Sequence, residues 1–161
     1  MPASPREHTY GTTVTWTGNT GSGTTSHRSY ERLYDISSEG KPVIAGSSDP
    51  AFRGDPARYN PEDLLVASLS ACHMLWYLSL SAKAGIVVTA YRDRAEGTMA
   101  EEPNGSGRFT HLVLRPEITV TAGADLDKAD VIHHDAHAMC FIANSINFLI
   151  TVEATYTVAD E

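Results

Sequence analysis

Apolar and polar residues alternate along the first third of the chain. His8–Thr17, HTYGTTVTWT, sets Tyr, Val and Trp against polar neighbours, and Arg28–Ile36, RSYERLYDI, does the same with Tyr30, Leu33, Tyr34 and Ile36. A period of two is the mark of half-buried strands. Asn19–Thr25 between them is turn composition, so an antiparallel hairpin or meander is expected, with Lys41–Ala45 as a further short strand. Ser47–Tyr59, punctuated by Pro50, Gly54 and Pro56, reads as an ordered loop. After Gly85 the alternation returns in Ile86–Tyr91, which can extend through Met99. Glu101–Gly107 reads as a tight hairpin connection, and Phe109–Val120 as a β-branched strand in which Pro116 signals an edge or a bulge. Leu149–Val158 closes the chain as one alternating strand.

The middle of the chain breaks this pattern. Asn60–Ala84, NPEDLLVASLSACHMLWYLSLSAKA, opens with a helix-start signature: Asn60 to cap, Pro61 at the first position, and Glu62 and Asp63 in the first turn. Leu65, Leu69, Cys72, Trp76 and Leu80 fall on one side of that helix, and Leu64, Ala67, Ala71, Leu75 and Leu78 on another. A helix apolar nearly all round must be enclosed. Ser68, Ser70, His73, Ser79 and Ser81 make protein a better enclosure than lipid, so a buried central helix carrying a thiol is predicted. Gly85 ends it. Asp125–Met139 is a second helix, amphipathic on Leu126, Ala129, Ile132, Ala136 and Met139, with a short extra turn in Phe141–Ile146. The sum is a single α+β domain over residues 1–161.

Composition narrows the functional classes. A formal charge of −8 argues against nucleic acid or an anionic membrane as the main partner. The opening MPASPREHTYGTT holds no apolar run of secretory type, so a cytoplasmic protein is expected. Its two cysteines are then thiols, whether inert, metal-binding or redox-active, and not a permanent staple.

Cys72 is the first candidate for chemistry. Buried cysteine often merely packs, but His73 adjoins it, and Arg53 and Arg58 lie in the loop ahead of its helix. A guanidinium near a thiol favours the thiolate. Cys140 follows the second helix; heading the next turn, it would have its pKa lowered by backbone N–H groups. A thiolate attacking a peroxide becomes a sulfenic acid, which a second cysteine in reach resolves as a disulfide. A rival set is His133, His137 and Cys140, at i, i+4 and i+7 on one helix face, with His134 beside them exposed; imidazole and thiolate together are zinc-type ligands. Glu62 stands ten residues before Cys72, about 1000° of helical rotation, so the two side chains point different ways and a joint site would need Glu62 from a second copy.

NPEDLLVASLSAC at Asn60–Cys72, the arginine loop before it and the second cysteine in AMCFIANSI resemble the osmotically-inducible-protein-C and organic-hydroperoxide-resistance (OsmC/Ohr) family. The resemblance runs from about Thr12 to Val158. It implies an OsmC-like fold, with antiparallel sheets packed around the long central helix in an intertwined homodimer. It also implies a cysteine-based peroxidase that reduces organic hydroperoxides to alcohols in the oxidative stress response. In those terms Cys72 matches the attacking cysteine, Cys140 the resolving one, Arg53 the arginine that orients the peroxide (with Arg58 as substitute), and Glu62 the carboxylate that holds this arginine. Phe52, Leu69 and Trp76 would wall the organic group. No metal or organic cofactor is implied; the partner is a dithiol reductant of lipoyl or thioredoxin type. The alternatives are a non-catalytic binding or stress protein of the same fold, or a zinc protein using Cys140 and the histidines. His73 and Trp76 beside the cysteine, and FIANSI after the second one, depart from the best-known members. His111 has no assigned role.

Overall fold

A computed structural model describes residues 6–160. Residues 1–5, with which the segment read as lacking a leader begins, lie outside the described residues, as does residue 161. The chain forms two compact units, one up to Leu64 and one from Leu65.

The first unit holds β1 (Thr13–Trp16), β2 (Tyr34–Ser37) and β3 (Ile44–Gly46) as an antiparallel meander in that order. These strands are shorter than the alternation suggested. The residues between β1 and β2 leave the ladder and staple themselves instead: Trp16 Nε1 donates to the Glu31 carbonyl at 3.0 Å, its ring meets Tyr30 edge-on, and the Arg32 guanidinium covers Tyr30. A 3₁₀ turn, Pro50–Phe52, follows β3, and then α1 (Pro61–Ala84) begins.

Both ends of α1 are set by local chemistry. The Asn60 side chain accepts from the Asp63 N–H at 2.7 Å while Asp63 accepts from the Asn60 N–H at 3.3 Å, a reciprocal capping box. At the far end Gly85 takes φ +77, and the Gly85 and Ile86 N–H groups close back on the Ala82 and Ser81 carbonyls, a Schellman ending.

The second unit adds β4 (Val88–Asp93), β5 (Glu96–Glu101), β6 (Gly107–Leu114), β7 (Pro116–Val120), α2 (Leu126–Met139), a 3₁₀ turn Ala143–Ser145, β8 (Leu149–Val152) and β9 (Thr155–Val158). Two sheets result, β4-β7-β9 and β5-β6-β8. They are mixed, not purely antiparallel, because β8 runs parallel to β6 and β9 parallel to β7. The strand expected over Phe109–Val120 breaks at Arg115, whose N–H donates to Asp93 Oδ1 at 2.7 Å, and β7 restarts in the other sheet. Pro116 is tolerated there as first residue of the strand, although β7 is central. Asp93 also accepts from the Ser70 hydroxyl, tying α1 to this break. On β5, a Cβ at Gly97 would press on Phe109 and on Val66 of α1, so only glycine lets helix and sheet approach this closely.

The core falls into two clusters. Tyr77, Ile86, Ile118, Val120, Ala129, Ile132 and Ala136 form one; Leu69, Leu112, Leu114 and Cys140 form the other. The residues of α1 that are fully buried, Leu69, His73, Tyr77 and Ser81, recur every four positions as a single stripe. The rest of the helix is less covered than the prediction of a buried central helix implies. Only 22% of its most apolar window is buried within the chain, and Leu75 is 63% exposed. By length and composition α1 could cross a membrane, but a stripe of buried imidazole, phenol and hydroxyl is what a protein interior accommodates and lipid does not. On α2, His133 is buried, whereas Leu126 and Met139 of the expected apolar face are exposed.

Asn60→Ala should destabilise the protein by about 1 kcal/mol and Asn60→Ser far less. Chemical denaturation monitored at 222 nm checks this, and equal losses for both would dismiss the cap.

Candidate active site

Cys72 and Cys140 come from different elements and meet in the second core cluster. Cys72 lies midway along α1, one position round from the buried stripe, and is half-buried; Cys140 is the residue that stops α2 and is fully buried. Both are free thiols, close enough for Cys72 to alter the ionisation of Cys140. The turn that follows fixes Cys140: Asn144 N–H donates to its carbonyl at 3.0 Å, Asn144 Nδ2 to the Ala138 carbonyl at 2.9 Å, and Ala143 N–H to its Sγ at 3.4 Å. The backbone N–H groups of Ala143 and Ile142 favour the thiolate, as expected for a cysteine ahead of a turn. Burial outweighs them and, with Cys72 alongside, pushes the thiol up to about 11. The expectation of a lowered pKa at Cys140 is thus reversed: two amide donors do not offset the loss of water.

Leu69 and Trp76 pack against the same cluster. Phe141, which the sequence reading missed, meets Trp76 edge-on with ring centroids 5.9 Å apart and is itself 70% exposed. Its place directly after Cys140 was the available signal. Trp76 and Phe141 therefore present aromatic surface beside the thiol pair.

His73 does not simply pack. Its Nε2 lies 2.9 Å from Nδ1 of His133 on α2, both rings are buried and nearly coplanar, and Tyr77 stacks on His133 at 4.1 Å. This pairing takes up Nδ1 of His133, one member of the zinc-type set. Among the described residues no group of three or more His, Cys, Asp or Glu side chains is arranged to hold a metal ion. His134 is exposed. His111 hydrogen-bonds across the β6–β8 pair to Thr151 at 3.0 Å.

The remaining predicted residues belong to the first unit. Arg53 closes the 3₁₀ turn in the left-handed region, φ 67, the one non-glycine residue with positive φ among those described. The turn is held by Asp49, which accepts from the Ala51 N–H and from Asn60 Nδ2, so the arginine loop is fastened to the helix cap. Among the described residues Arg53 makes no ion pair, whereas Arg58 lies 3.9 Å from both Asp35 and Asp55. Glu62 has one carboxylate oxygen buried without a hydrogen-bond partner, near the Tyr34 hydroxyl, which is likewise buried and unpartnered. Phe52 is 44% exposed.

The histidine pair dictates a pH response. Burial, and then the proximity of His137, push the His73 pKa down to about 4; burial, and then His73, push His133 down to about 3. Below about pH 6.5 the unfolded chain takes up protons that these folded imidazoles refuse. Stability should therefore fall as pH drops from about 6.5 towards 4, each imidazole adding up to about 1.4 kcal/mol per pH unit. Denaturation of the wild type and of His73→Gln/His133→Asn across this range isolates the effect, and parallel profiles would refute it.

The profile of the OsmC family, described as OsmC-like protein, matches residues 54–155. Among solved structures, an OsmC-like protein of unknown function from Vibrio cholerae superposes with a TM-score of 0.84 at 32% identity, over 92% of this chain and 100% of that one. An organic hydroperoxide resistance protein from Elizabethkingia anophelis matches with a TM-score of 0.69 at 20% identity, over 96% and 99%. One from Legionella pneumophila, an organic hydroperoxide resistance protein OsmC, matches at 0.66 and 17%, over 94% and 99%. No curated protein matches the chain. With the profile covering more than half of the sequence and the Vibrio structure nearly all of it, the chain belongs to the OsmC-like protein family.

Proposed function

We propose that the protein is a cysteine-based peroxidase reducing organic hydroperoxides to alcohols in the oxidative stress response. The observation that carries this reading is the meeting of Cys72 and Cys140, separated by 67 residues of sequence and brought from two helices into one cluster. In the reaction the Cys72 thiolate attacks the distal peroxide oxygen. The O–O bond breaks, the alkoxide leaves and takes a proton to become the alcohol, and Cys72 is left as a sulfenic acid. Cys140 sulfur then attacks Cys72 sulfur, hydroxide leaves and becomes water with the Cys140 proton, and a disulfide remains. A dithiol of lipoyl or thioredoxin type returns both thiols by exchange. No metal or organic cofactor enters. The organic group lies against Leu69, Trp76 and Phe141.

The site is completed by a second copy, and the whole chain acts as one OsmC-like domain within a cytoplasmic homodimer. A helix apolar on all sides with 22% of its apolar window buried needs another surface to cover it, and a second α1 has the matching chemistry. Between the arginines, Arg53 is the better choice for orienting peroxide. Arg53 occupies a backbone conformation that costs about 1 kcal/mol or more, of the kind that persists at functional sites, whereas Arg58 stands 3.9 Å from two aspartates with its Nη1 buried and unpartnered. The orphaned Glu62 oxygen is the acceptor such a guanidinium would satisfy.

Cys72→Ser should abolish consumption of cumene hydroperoxide with any dithiol, and Cys140→Ser should permit one turnover and then stall. Multi-turnover activity in Cys72→Ser would end the proposal. Arg53→Ala should lower kcat/KM about a hundredfold and Arg58→Ala much less, as expected for loss of one preorganised donor. Sedimentation should give a dimer that Leu75→Glu dissociates; a monomeric wild type would remove the shared site.

A further inference from the structure

The buried histidine pair is not explained by the proposed peroxide chemistry, which needs neither ring. It is also an expensive way to fill a core. Two imidazoles, 1% and 5% exposed, have given up water for one hydrogen bond between them, and His133 Nε2 is left buried with no partner at all. Leucines would fill similar space without that cost. What leucines lack is direction, since a hydrogen bond fixes two side chains to a few tenths of an ångström and apolar contact does not.

The direction matters because of where the two rings sit. His73 is the residue after Cys72 on α1. His133 is seven residues before Cys140, two turns of α2, which brings it back to the same side of that helix. Among the described residues this is the one side chain–side chain hydrogen bond between α1 and α2. Along α1 the pair lies between Leu69, in the thiol cluster, and Tyr77, in the other cluster. On the buried side of α2, Ile132 packs in the cluster of Tyr77 and the small residues Ala129 and Ala136 flank His133, so the imidazole hydrogen bond is the directional contact there. Tyr77 stacks on His133 with an interplanar angle of 18°, and the two histidine rings lie 3° from coplanar, so each ring is held for a straight bond. The ionisable neighbours are His137 from α2 and Tyr77 from α1, with Tyr156 from β9, itself beside Asp130 of α2.

We propose that His73 and His133 are positioning residues of the thiol pair: their hydrogen bond fixes α2 lengthwise on α1 and so holds Cys140 within bonding reach of Cys72. This rests on the reading of the two cysteines as a redox couple. The pair acts as a strut that sets the effective concentration of one thiol at the other.

The test uses the full-length protein in glutathione buffers without peroxide, reading the Cys72–Cys140 disulfide fraction by alkylation and mass spectrometry. His73→Gln and His133→Asn keep a polar atom where Nε2 and Nδ1 lie; His73→Leu/His133→Leu removes the bond and leaves an apolar core. The conservative variants should stay within about twofold of the wild type, and the double leucine variant should lose about tenfold in effective concentration, about 30 mV less reducing. That loss should occur although its thermal stability equals or exceeds that of the wild type, which a purely structural role would not produce. A folded double variant with the wild-type potential would overturn the proposal, as would conservative variants that lose as much as the leucines. If the double variant does not fold, His133→Leu against His133→Asn decides in the same way. A wild type that forms no Cys72–Cys140 disulfide at any glutathione ratio would overturn both this and the peroxidase reading, whereas a wild-type disulfide with unmoved variants overturns this alone.

Discussion

The C-terminal unit depends on how α1 meets two opposed demands. It must be apolar enough to sit among sheets, and it must carry a thiol with polar company. The stripe Leu69–His73–Tyr77–Ser81 is the compromise: three of its four members bear polar atoms, yet all four are buried. Cys72 stands one step off this stripe and keeps some access, while the stripe itself engages α2 through imidazole and aromatic contact. Ser70, one step off the stripe on the other side, reaches Asp93 at the point where one long strand becomes two. The helix is thus fixed by directional bonds at points that bracket the cysteine.

The two thiols are made unequal by the same physics. Cys140 receives amide donors that ordinarily favour thiolate, but it has no water, and its proton is held more tightly than in a free cysteine. In the proposed cycle that inequality gives the order of events. The half-buried sulfur can meet a substrate; the buried one acts once a sulfenic acid has formed within its reach.

Much of this was legible in the sequence where the cause was local. The bounds of α1 follow from Asn60, Asp63 and Gly85, each acting within a few residues, and α2 begins at the Asp125 cap as its composition indicates. The two cysteines stood out in the sequence by their company, but that they meet in one cluster could not be read from their spacing. What was hidden depended on distant partners. A period of two cannot tell that Leu149–Val158 divides between two sheets in parallel register, nor that Phe109–Val120 breaks where Asp93 caps Arg115. Counting histidine as polar turned α2 by about one residue, because His133 is buried through a partner 60 positions away. The zinc-type spacing could not show that His133 is already taken by a partner on another helix.

The parallel pairs carry one more implication. His111 faces Leu149 and Glu117 faces Thr155, the same sequence offset of 38 residues in both sheets. Both crossovers run through α2 and end by way of Cys140. A change of length in that stretch has to be absorbed by its connecting loops, because a slip of one residue would turn the side chains of β8 and β9 to the opposite faces of both sheets. The two sheets therefore share one connection, and the register of both parallel pairs, like the seat of Cys140, is reached through the same stretch of chain.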